Sequence, residues 1–128
     1  MEFELYKSLT STQVNGIDAA DVTLFEMTDT SSIVRVPVAL TVTKPAGTAY
    51  TVADGARIEI KDEDDNIWFS FDADFLATAA VVSRYVPAVY GSATAGNKTL
   101  LISATGSIAS GTSVLGLRIF HKQYPLTW

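Results

Sequence analysis

The densest group of potential ligands in the chain is an acidic run that begins at Asp62 and continues through Asp64 to Asn66. Oxygen ligands at alternate positions also open an EF-hand calcium loop, which needs a glycine at its sixth position and a glutamate at its twelfth. Those two positions hold Ile67 and Ala73 here. We therefore predict a solvated acidic hairpin turn, and weak cation binding by the cluster stays an open alternative.

Two further carboxylates, Asp72 and Asp74, and the single histidine, His121, are the other residues that could do catalysis. Glycoside hydrolysis needs two carboxyl groups across a cleft, whereas acids on a strand-to-helix connection commonly cap the helix. A serine-based triad would need His121 beside a serine and an acid, and we expect His121 at a strand end, as a surface or interface residue. The chain contains no cysteine, which excludes thiolate sites and disulfides. We predict no enzymatic activity, no cofactor and no metal ion.

Several residues are candidates for contact with a partner, because exposed aromatic side chains commonly bind proteins or sugars. Trp68 is the foremost of them, since its neighbours Ile67 and Phe69 are predicted to point to the opposite face of their strand. Core packing of Trp68 is the alternative, and Trp68 with Tyr85 or Tyr90 could form a sugar-binding surface. The candidate interface residues are Phe3, Leu5, Tyr6, Trp68, Tyr90, Tyr124 and Trp128.

The elements that must position these residues are β-strands, and the clearest runs from Ile33 to Thr43. Valine or leucine occupies every second position from Val34 to Val42. This period of two is typical of a strand with one buried face and does not fit a helix. Pro37 has no N–H to donate, so it predicts an edge strand or a bulge at that position.

Turn residues divide the rest of the chain into further strands. Asp54-Gly55 predicts a two-residue hairpin, residues 73–80 suit one short helical turn, and the strands flanking the Gly106 to Gly111 loop are expected to pair with each other. The predicted strands are 2–6, 22–27, 33–43, 48–52, 56–61, 67–71, 81–86, 98–104 and 112–121.

Eight or nine strands with one short helical turn predict an all-β fold, an antiparallel β-sandwich of jelly-roll type. An immunoglobulin-like sandwich is the alternative, but its tryptophan packed against a disulfide is missing. The 128 residues suit a single domain. Within it, Ser8 to Ala20 are mostly small and polar, and residues 1–20 are the candidate for an extended N-terminal arm.

Charge and hydropathy restrict the partners. The formal net charge is −5 and the isoelectric point is about 4.6, so a nucleic-acid backbone or an anionic membrane surface would repel the chain. No signal peptide or membrane-spanning run is visible. Hydrophobic residues make up 48% and charged residues 18%, a composition that favours burial of surface between copies in an oligomer.

The order of these segments resembles that of small virion structural proteins of tailed bacteriophages, in particular β-sandwich head decoration (cement) proteins. The resemblance covers residues 33–122 and carries over no catalytic residue. The segments that carry it are the alternating valine strand, Gly47–Tyr50, the hairpin begun at Gly55, Trp68–Ala77, Tyr85–Pro87, Gly96–Ile102 and Ala109–Phe120.

The resemblance implies a capsid decoration subunit that stabilises the head. Its partners would be the major capsid protein and further copies of itself, as a homotrimer, and it would lie on the outer capsid surface after assembly in the host cytoplasm. The predicted arm would then pair with a strand edge of a neighbour. The alternatives are a carbohydrate- or receptor-binding module of a fibre and a tail or neck subunit.

Overall fold

A computed structural model describes residues 2–26, 33–89 and 98–125, and this part of the chain is built from strands with two short helical turns. The elements are β1 (Glu2–Leu9), α1 (Ser11–Val14), β2 (Val22–Phe25), β3 (Ile33–Lys44), β4 (Thr51–Val52), β5 (Arg57–Asp62), β6 (Ile67–Asp72), a 3₁₀ turn (Asp74–Ala77), β7 (Val82–Pro87), β8 (Leu100–Ala104), β9 (Ile108–Ala109) and β10 (Leu115–Pro125). The short helical turn predicted within 73–80 is confirmed. The described residues include no helix that could cross a membrane.

The strands form two four-stranded antiparallel sheets and a small two-stranded ribbon. Sheet A has the order β1-β10-β3-β7, sheet B has the order β2-β8-β5-β6, and the ribbon is β4-β9. Apart from the ribbon, the strands pair from the outside of the sequence inwards: β1 with β10, β2 with β8, β3 with β7 and β5 with β6. This nested pairing is a long hairpin rolled into two sheets, and it confirms the predicted all-β, jelly-roll-like sandwich.

The inner faces of the two sheets form the hydrophobic core. On β5, Ile58 and Ile60 are fully buried between half-buried polar neighbours, as the alternating sequence predicts. Leu117 and Ile119 of β10 fill the facing side from sheet A. Burial of such side chains contributes about 1.5–3 kcal/mol each, so the two inner faces hold the sheets together.

Sheet A contains a β-bulge next to Pro37, which confirms one of the two outcomes predicted for this proline. Phe120 pairs with Ala39 and His121 pairs with Pro37, so Val38 is an extra residue on β3. The strand is central, between β10 and β7, but its pairing with β7 begins only at Ala39. The missing N–H of Pro37 therefore falls where no ladder hydrogen bond to β7 is needed.

A second bulge lies in sheet B and overturns the predicted orientation of β6. Ile60 pairs with Phe69 and Lys61 pairs with Ile67, so Trp68 is the extra residue. The bulge shifts the alternation by one. Trp68 and Phe69 are both fully buried, while Ile67, which we expected to face the core, is 36% exposed.

Two of the predicted strand pairings are wrong because consecutive strands of a jelly roll often belong to different sheets. The Asp54-Gly55 turn is present, and Gly55 has a φ of +73° that suits glycine. It connects β4 to β5, but β4 pairs with β9 and β5 pairs with β6 and β8. Likewise β8 lies in sheet B and β10 in sheet A, so the strands flanking the Gly106 to Gly111 loop do not pair with each other.

The described part of the segment 1–20 is not an extended arm. β1 pairs along its whole length with β10, from Glu2 opposite Lys122 to Leu9 opposite Leu115. Thr10 and Gln13 then form a capping box that begins α1. Leu9, Val14 and Ile17 are buried in the core. The residues around these three are small and polar, so the sequence pattern does not indicate that this segment completes sheet A and covers the core.

The loop between β9 and β10 is held by a glycine with no room for a side chain. A Cβ atom at Gly111 would overlap the ring of Tyr50. The Tyr50 hydroxyl donates to the Ser113 carbonyl, and burial raises the pKa of Tyr50. The Asn15 side chain accepts from the Gly111 N–H at 3.2 Å and donates to the Gly111 carbonyl at 3.0 Å. These contacts tie the loop to both α1 and the β3–β4 connection.

Candidate interaction surface

The outer face of sheet A is the described surface on which the most aromatic side chains come together. The strand register places Tyr6, Arg118, Thr41 and Tyr85 in one row across all four strands. Tyr6 is 62% exposed and Tyr85 is 69% exposed. Exposed tyrosines offer a large rigid contact area with a polar tip, which is why they are frequent in protein interfaces.

Tyr6 is positioned by two residues of β10. The Arg118 guanidinium lies 5.7 Å from the centroid of the Tyr6 ring, a cation–π distance. A Cβ atom at Gly116 would come within 3.1 Å of the Tyr6 hydroxyl. The glycine therefore leaves room for the Tyr6 ring to lie along the sheet.

A shallow depression of about 350 Å³ lies on the same face, beside the bulge of β3. Its walls combine apolar and polar groups. The depression is lined by Val38, Ala39, Tyr85, Phe120 and Lys122. It occurs where β3 carries its extra residue and where the ladder to β7 begins, so the bulge at Val38 contributes to its shape.

Of the candidate interface residues, only some lie on this face. Tyr6 does, and Tyr124, 39% exposed, follows Phe120 and Lys122 at alternate positions of β10. Leu5 instead packs against the core. The structure describes only the backbone of Phe3, opposite His121, and Tyr90 and Trp128 lie outside the described residues.

Two residues of the surface were not among the candidate interface residues. From the sequence, Tyr85 is a candidate for the sugar-binding surface, and Phe120 is part of the predicted strand 112–121. The alternation of their strands is the signal that identifies them: Tyr85 shares a face with Ser83 and Pro87, and Phe120 shares one with Arg118 and Lys122.

Trp68 is not a contact residue, because its side chain is fully buried. Its indole N–H donates to Asp62 Oδ2 at 3.2 Å. Asp62, which we expected to be solvated with the rest of the acidic turn, is also fully buried. The sugar-binding surface that paired Trp68 with Tyr85 or Tyr90 therefore lacks its central ring.

The Asp62 carboxylate organises the acidic turn from the inside. Oδ1 accepts from the backbone N–H groups of Asp64 and Asn66, and Oδ2 accepts from the Asn66 side chain and from Trp68. Burial alone would raise the pKa of this carboxyl, but these hydrogen bonds outweigh it and hold the pKa below its usual range. Four donors saturate the two oxygens, so Asp62 has no lone pair left for a cation.

The candidate catalytic residues are not assembled into a reaction centre. Asp72 pairs with Arg57 at 2.8 Å on the surface, and Asp74 lies in the first turn of the 3₁₀ segment. His121 lies within β10 and is only 2% exposed, so the expectation of a surface or interface residue at a strand end is wrong. Burial and the nearby charge of Arg35 lower its pKa. Within the described residues, no group of three histidine or acidic side chains could hold a metal ion.

Comparison with known proteins gives similarity at the level of fold. No protein-family model matches the chain, and no curated protein sequence matches it. One chain from the capsid asymmetric unit of cyanophage Pam1 superposes with a TM-score of 0.57 at 13% sequence identity, over 94% of this chain and 83% of that one. The chain thus shares its fold with a component of a phage capsid structure.

A second solved structure has a weaker likeness. A chain of the acid-stable capsid of Helicobacter pylori bacteriophage KHP30 aligns over 100% of both chains, at 9% identity and a TM-score of 0.37. A score at this level does not establish a shared fold.

Proposed function

We propose that this chain is a non-enzymatic structural protein of a tailed-bacteriophage virion, and specifically a decoration (cement) subunit that binds the outer capsid surface. The observation that carries the proposal is the jelly-roll fold, shared over 94% of the chain with a chain of the Pam1 capsid structure. Assembly would take place in the host cytoplasm, with the major capsid protein as the partner.

The side chains that could have done chemistry support a structural role. Asp62 is saturated by internal hydrogen bonds, Asp72 is engaged by Arg57, and His121 is buried beyond the reach of a substrate. The exposed aromatic side chains lie on a flat sheet face, which suits contact with another protein.

Self-association, as a trimer, is part of the proposal. The outer face of sheet A leaves Tyr6 and Tyr85 more than 60% exposed in a single copy. Repetition around a symmetric particle adds avidity, so each contact with the shell can be individually weak.

The test is to mix the purified protein with undecorated capsids and to measure co-sedimentation and the temperature at which the shells open. We expect saturable binding and a higher opening temperature, because a bound subunit stabilises the state that it binds. Capsids that already carry their full decoration are the matched control and should bind none. Absence of binding, with an unchanged opening temperature, would refute the cement role.

The same preparation distinguishes a decoration subunit from the remaining structural alternative, a tail or neck subunit. A tail or neck subunit would bind isolated tails or assemble into rings or stacks visible by negative-stain microscopy, and would leave capsid shells bare.

A further inference from the structure

Asn15 and Gly16 form a dipeptide with a chemical reactivity of its own. The asparagines of the chain are Asn15, Asn66 and Asn97, and Asn15 alone is followed by glycine. Asparagine is a thermolabile residue, because the backbone nitrogen of the next residue can attack its side-chain amide carbon. A glycine at that next position has no side chain to obstruct the attack. The sequence therefore makes Asn15 the asparagine of this chain most prone to deamidation.

Deamidation at this dipeptide proceeds through a cyclic imide. The Gly16 nitrogen gives its proton to solvent and bonds to Cγ of Asn15. The bond from Cγ to Nδ2 breaks, and the amide nitrogen takes up a proton and leaves as ammonia. Water then opens the imide at either of its two carbonyls, which gives aspartate or isoaspartate. Both steps need only water, and nothing is oxidised or reduced.

In the folded chain, both reacting groups of this dipeptide are engaged elsewhere. The Gly16 N–H donates to the Ile108 carbonyl at 2.9 Å. The Asn15 side chain donates to the Gly111 carbonyl at 3.0 Å and accepts from the Gly111 N–H at 3.2 Å. Asn15 has a ψ of 119°, whereas closing the imide ring needs a negative ψ that brings the Gly16 nitrogen beside the side chain. Since reacting atoms must be close and aligned, the folded backbone blocks the reaction.

The β9–β10 loop (residues 110–114) provides much of this protection. Its Gly111 binds the Asn15 side chain through both of its backbone groups. Tyr50 holds the loop in turn, because its ring leaves no room for a Cβ atom at Gly111 and its hydroxyl donates to the Ser113 carbonyl. The Asn15 side chain is therefore free to reach the reactive geometry only when the β9–β10 loop has moved away.

We propose that Asn15-Gly16 is a deamidation site that the docked β9–β10 loop protects and that, once modified, releases this loop. The product carboxylate at position 15 has no N–H, so it places a negative charge against the Gly111 carbonyl where the amide placed a donor. Isoaspartate also lengthens the backbone at the end of α1. Because the change is irreversible, a modified copy does not regain the original contact. This site is independent of the proposed capsid role.

The first test compares the rate of deamidation in the folded chain with the rate in the chain unfolded by guanidinium chloride, both in mildly alkaline buffer. Peptide mass spectrometry measures the conversion of amide to acid at each asparagine, and isoaspartyl methyltransferase labels isoaspartate. We expect Asn15 to react fastest of the three asparagines in the unfolded chain. In the folded chain it should react at least about tenfold more slowly, because only the open fraction of the molecules reacts. Equal rates in the folded and the unfolded chain would refute the proposal.

The second test loosens the β9–β10 loop without altering the dipeptide. Gly111→Ala places a methyl group against the Tyr50 ring, and the milder Tyr50→Phe removes the hydrogen bond to the Ser113 carbonyl. Each should raise the rate at Asn15 in the folded chain about threefold or more, because a contact that closes the loop is weakened or lost. Tyr85→Phe, which removes the hydroxyl of an exposed tyrosine, is the matched control and should keep the wild-type rate. Wild-type rates in both loop variants would contradict the role of the loop.

A further variant separates local opening of the β9–β10 loop from unfolding of the whole domain. Ile60→Val shortens a fully buried side chain of β5 and lowers the global free energy of unfolding. Because local opening does not require global unfolding, Ile60→Val should keep the wild-type rate at Asn15 in the folded chain. An acceleration equal to that of Gly111→Ala, at an equal loss of stability, would assign the protection to global folding and overturn the proposal.

Asn15→Asp tests the effect of the modification on the loop. Hydrogen exchange of the backbone amides at residues 110–113 should become about threefold faster or more, because the bond to the Gly111 carbonyl is lost. Gln123→Glu makes the same change from amide to acid on β10 and should leave exchange at these residues unchanged. If Asn15→Asp also leaves it unchanged, the modification does not release the loop and the proposal fails.

Discussion

At the scale of single residues, the buried carboxylate of Asp62 is the polar group on which the most local structure depends. It accepts four hydrogen bonds, and one of the donors is the fully buried Trp68. Hydrogen bonds to a charged group contribute about 1.5–3 kcal/mol each, and a buried donor left without its acceptor is costly. The acidic turn and the core beneath it are therefore held by one side chain.

We predict that Asp62→Asn lowers the free energy of unfolding by about 2 kcal/mol or more at pH 7, because an amide replaces one accepting oxygen with a donor. In the wild type this stabilisation is present above the ordinary carboxyl pKa of 3.8 and is lost as the pH falls through the lowered pKa. Denaturant unfolding at pH 7 and pH 3 measures both effects. Between pH 7 and pH 3, the free energy of unfolding should decrease less in Asp62→Asn than in the wild type. In Asp54→Asn it should decrease as much as in the wild type. Equal acid sensitivity of Asp62→Asn and the wild type would contradict this.

His121 gives the free energy of unfolding a second pH dependence, in a pH range above that in which ordinary carboxyl groups titrate. Burial and the charge of Arg35 lower its pKa, so the unfolded chain binds the proton more readily than the folded one. Stability should be complete above the ordinary value of 6.5 and should decrease as the pH falls below it. We predict that His121→Leu abolishes this decrease between pH 7 and pH 5.5, measured by denaturant unfolding. As the chain has one histidine, an unchanged slope in the variant would assign the effect to another group.

At the scale of elements, the first strand and the turn after it are integral to the fold. β1 covers one edge of β10 along eight paired residues, and Leu9, Val14 and Ile17 add three side chains to the core. Removing one such side chain costs about 2–5 kcal/mol, and the net stability of a domain is only about 5–15 kcal/mol.

We predict that deletion of residues 2–20 abolishes cooperative folding, as measured by the loss of a thermal unfolding transition in circular dichroism. The point variant Ile17→Ala should lower the free energy of unfolding by about 2–5 kcal/mol, and Thr12→Ala, at an exposed position of α1, should leave it nearly unchanged. A deletion variant that unfolds like the wild type would show that this segment is an arm after all.

The bulges at Val38 and Trp68 show which parts of an element can be predicted from its residues. Pro37 carries a chemical signal, because a residue without an N–H must fall where the ladder does not need one, and the bulge at Val38 follows. The bulge at Trp68 carries no such signal. Ile67, Trp68 and Phe69 are all apolar, so either phase of the strand is compatible with the sequence, and the choice is made by the buried Asp62 that binds the indole.

At the scale of the whole molecule, the fold class follows from local patterns and the topology does not. Alternating apolar residues identify strands such as β3 and β5, and their number predicts a sandwich. Pairing is decided by contacts between distant segments, so Asp54-Gly55 forms its predicted turn without forming a hairpin. The interaction surface could be predicted only in part, because Tyr6 and Tyr85 become neighbours in one row only when β1 and β7 lie at opposite edges of the same sheet.

The pairing of the first strand with the last also has a consequence for biosynthesis. Leu5 pairs with Ile119, which is synthesised 114 residues later. At about 5–20 residues per second, the interval between their synthesis is roughly 6 to 23 s. Until then β1 has no partner for its backbone, and β3 lacks the neighbour that separates it from β1. A nascent chain cannot complete sheet A until β10 has been synthesised and has left the ribosome, and a polypeptide terminated before β10 would be a substrate for chaperones and proteases.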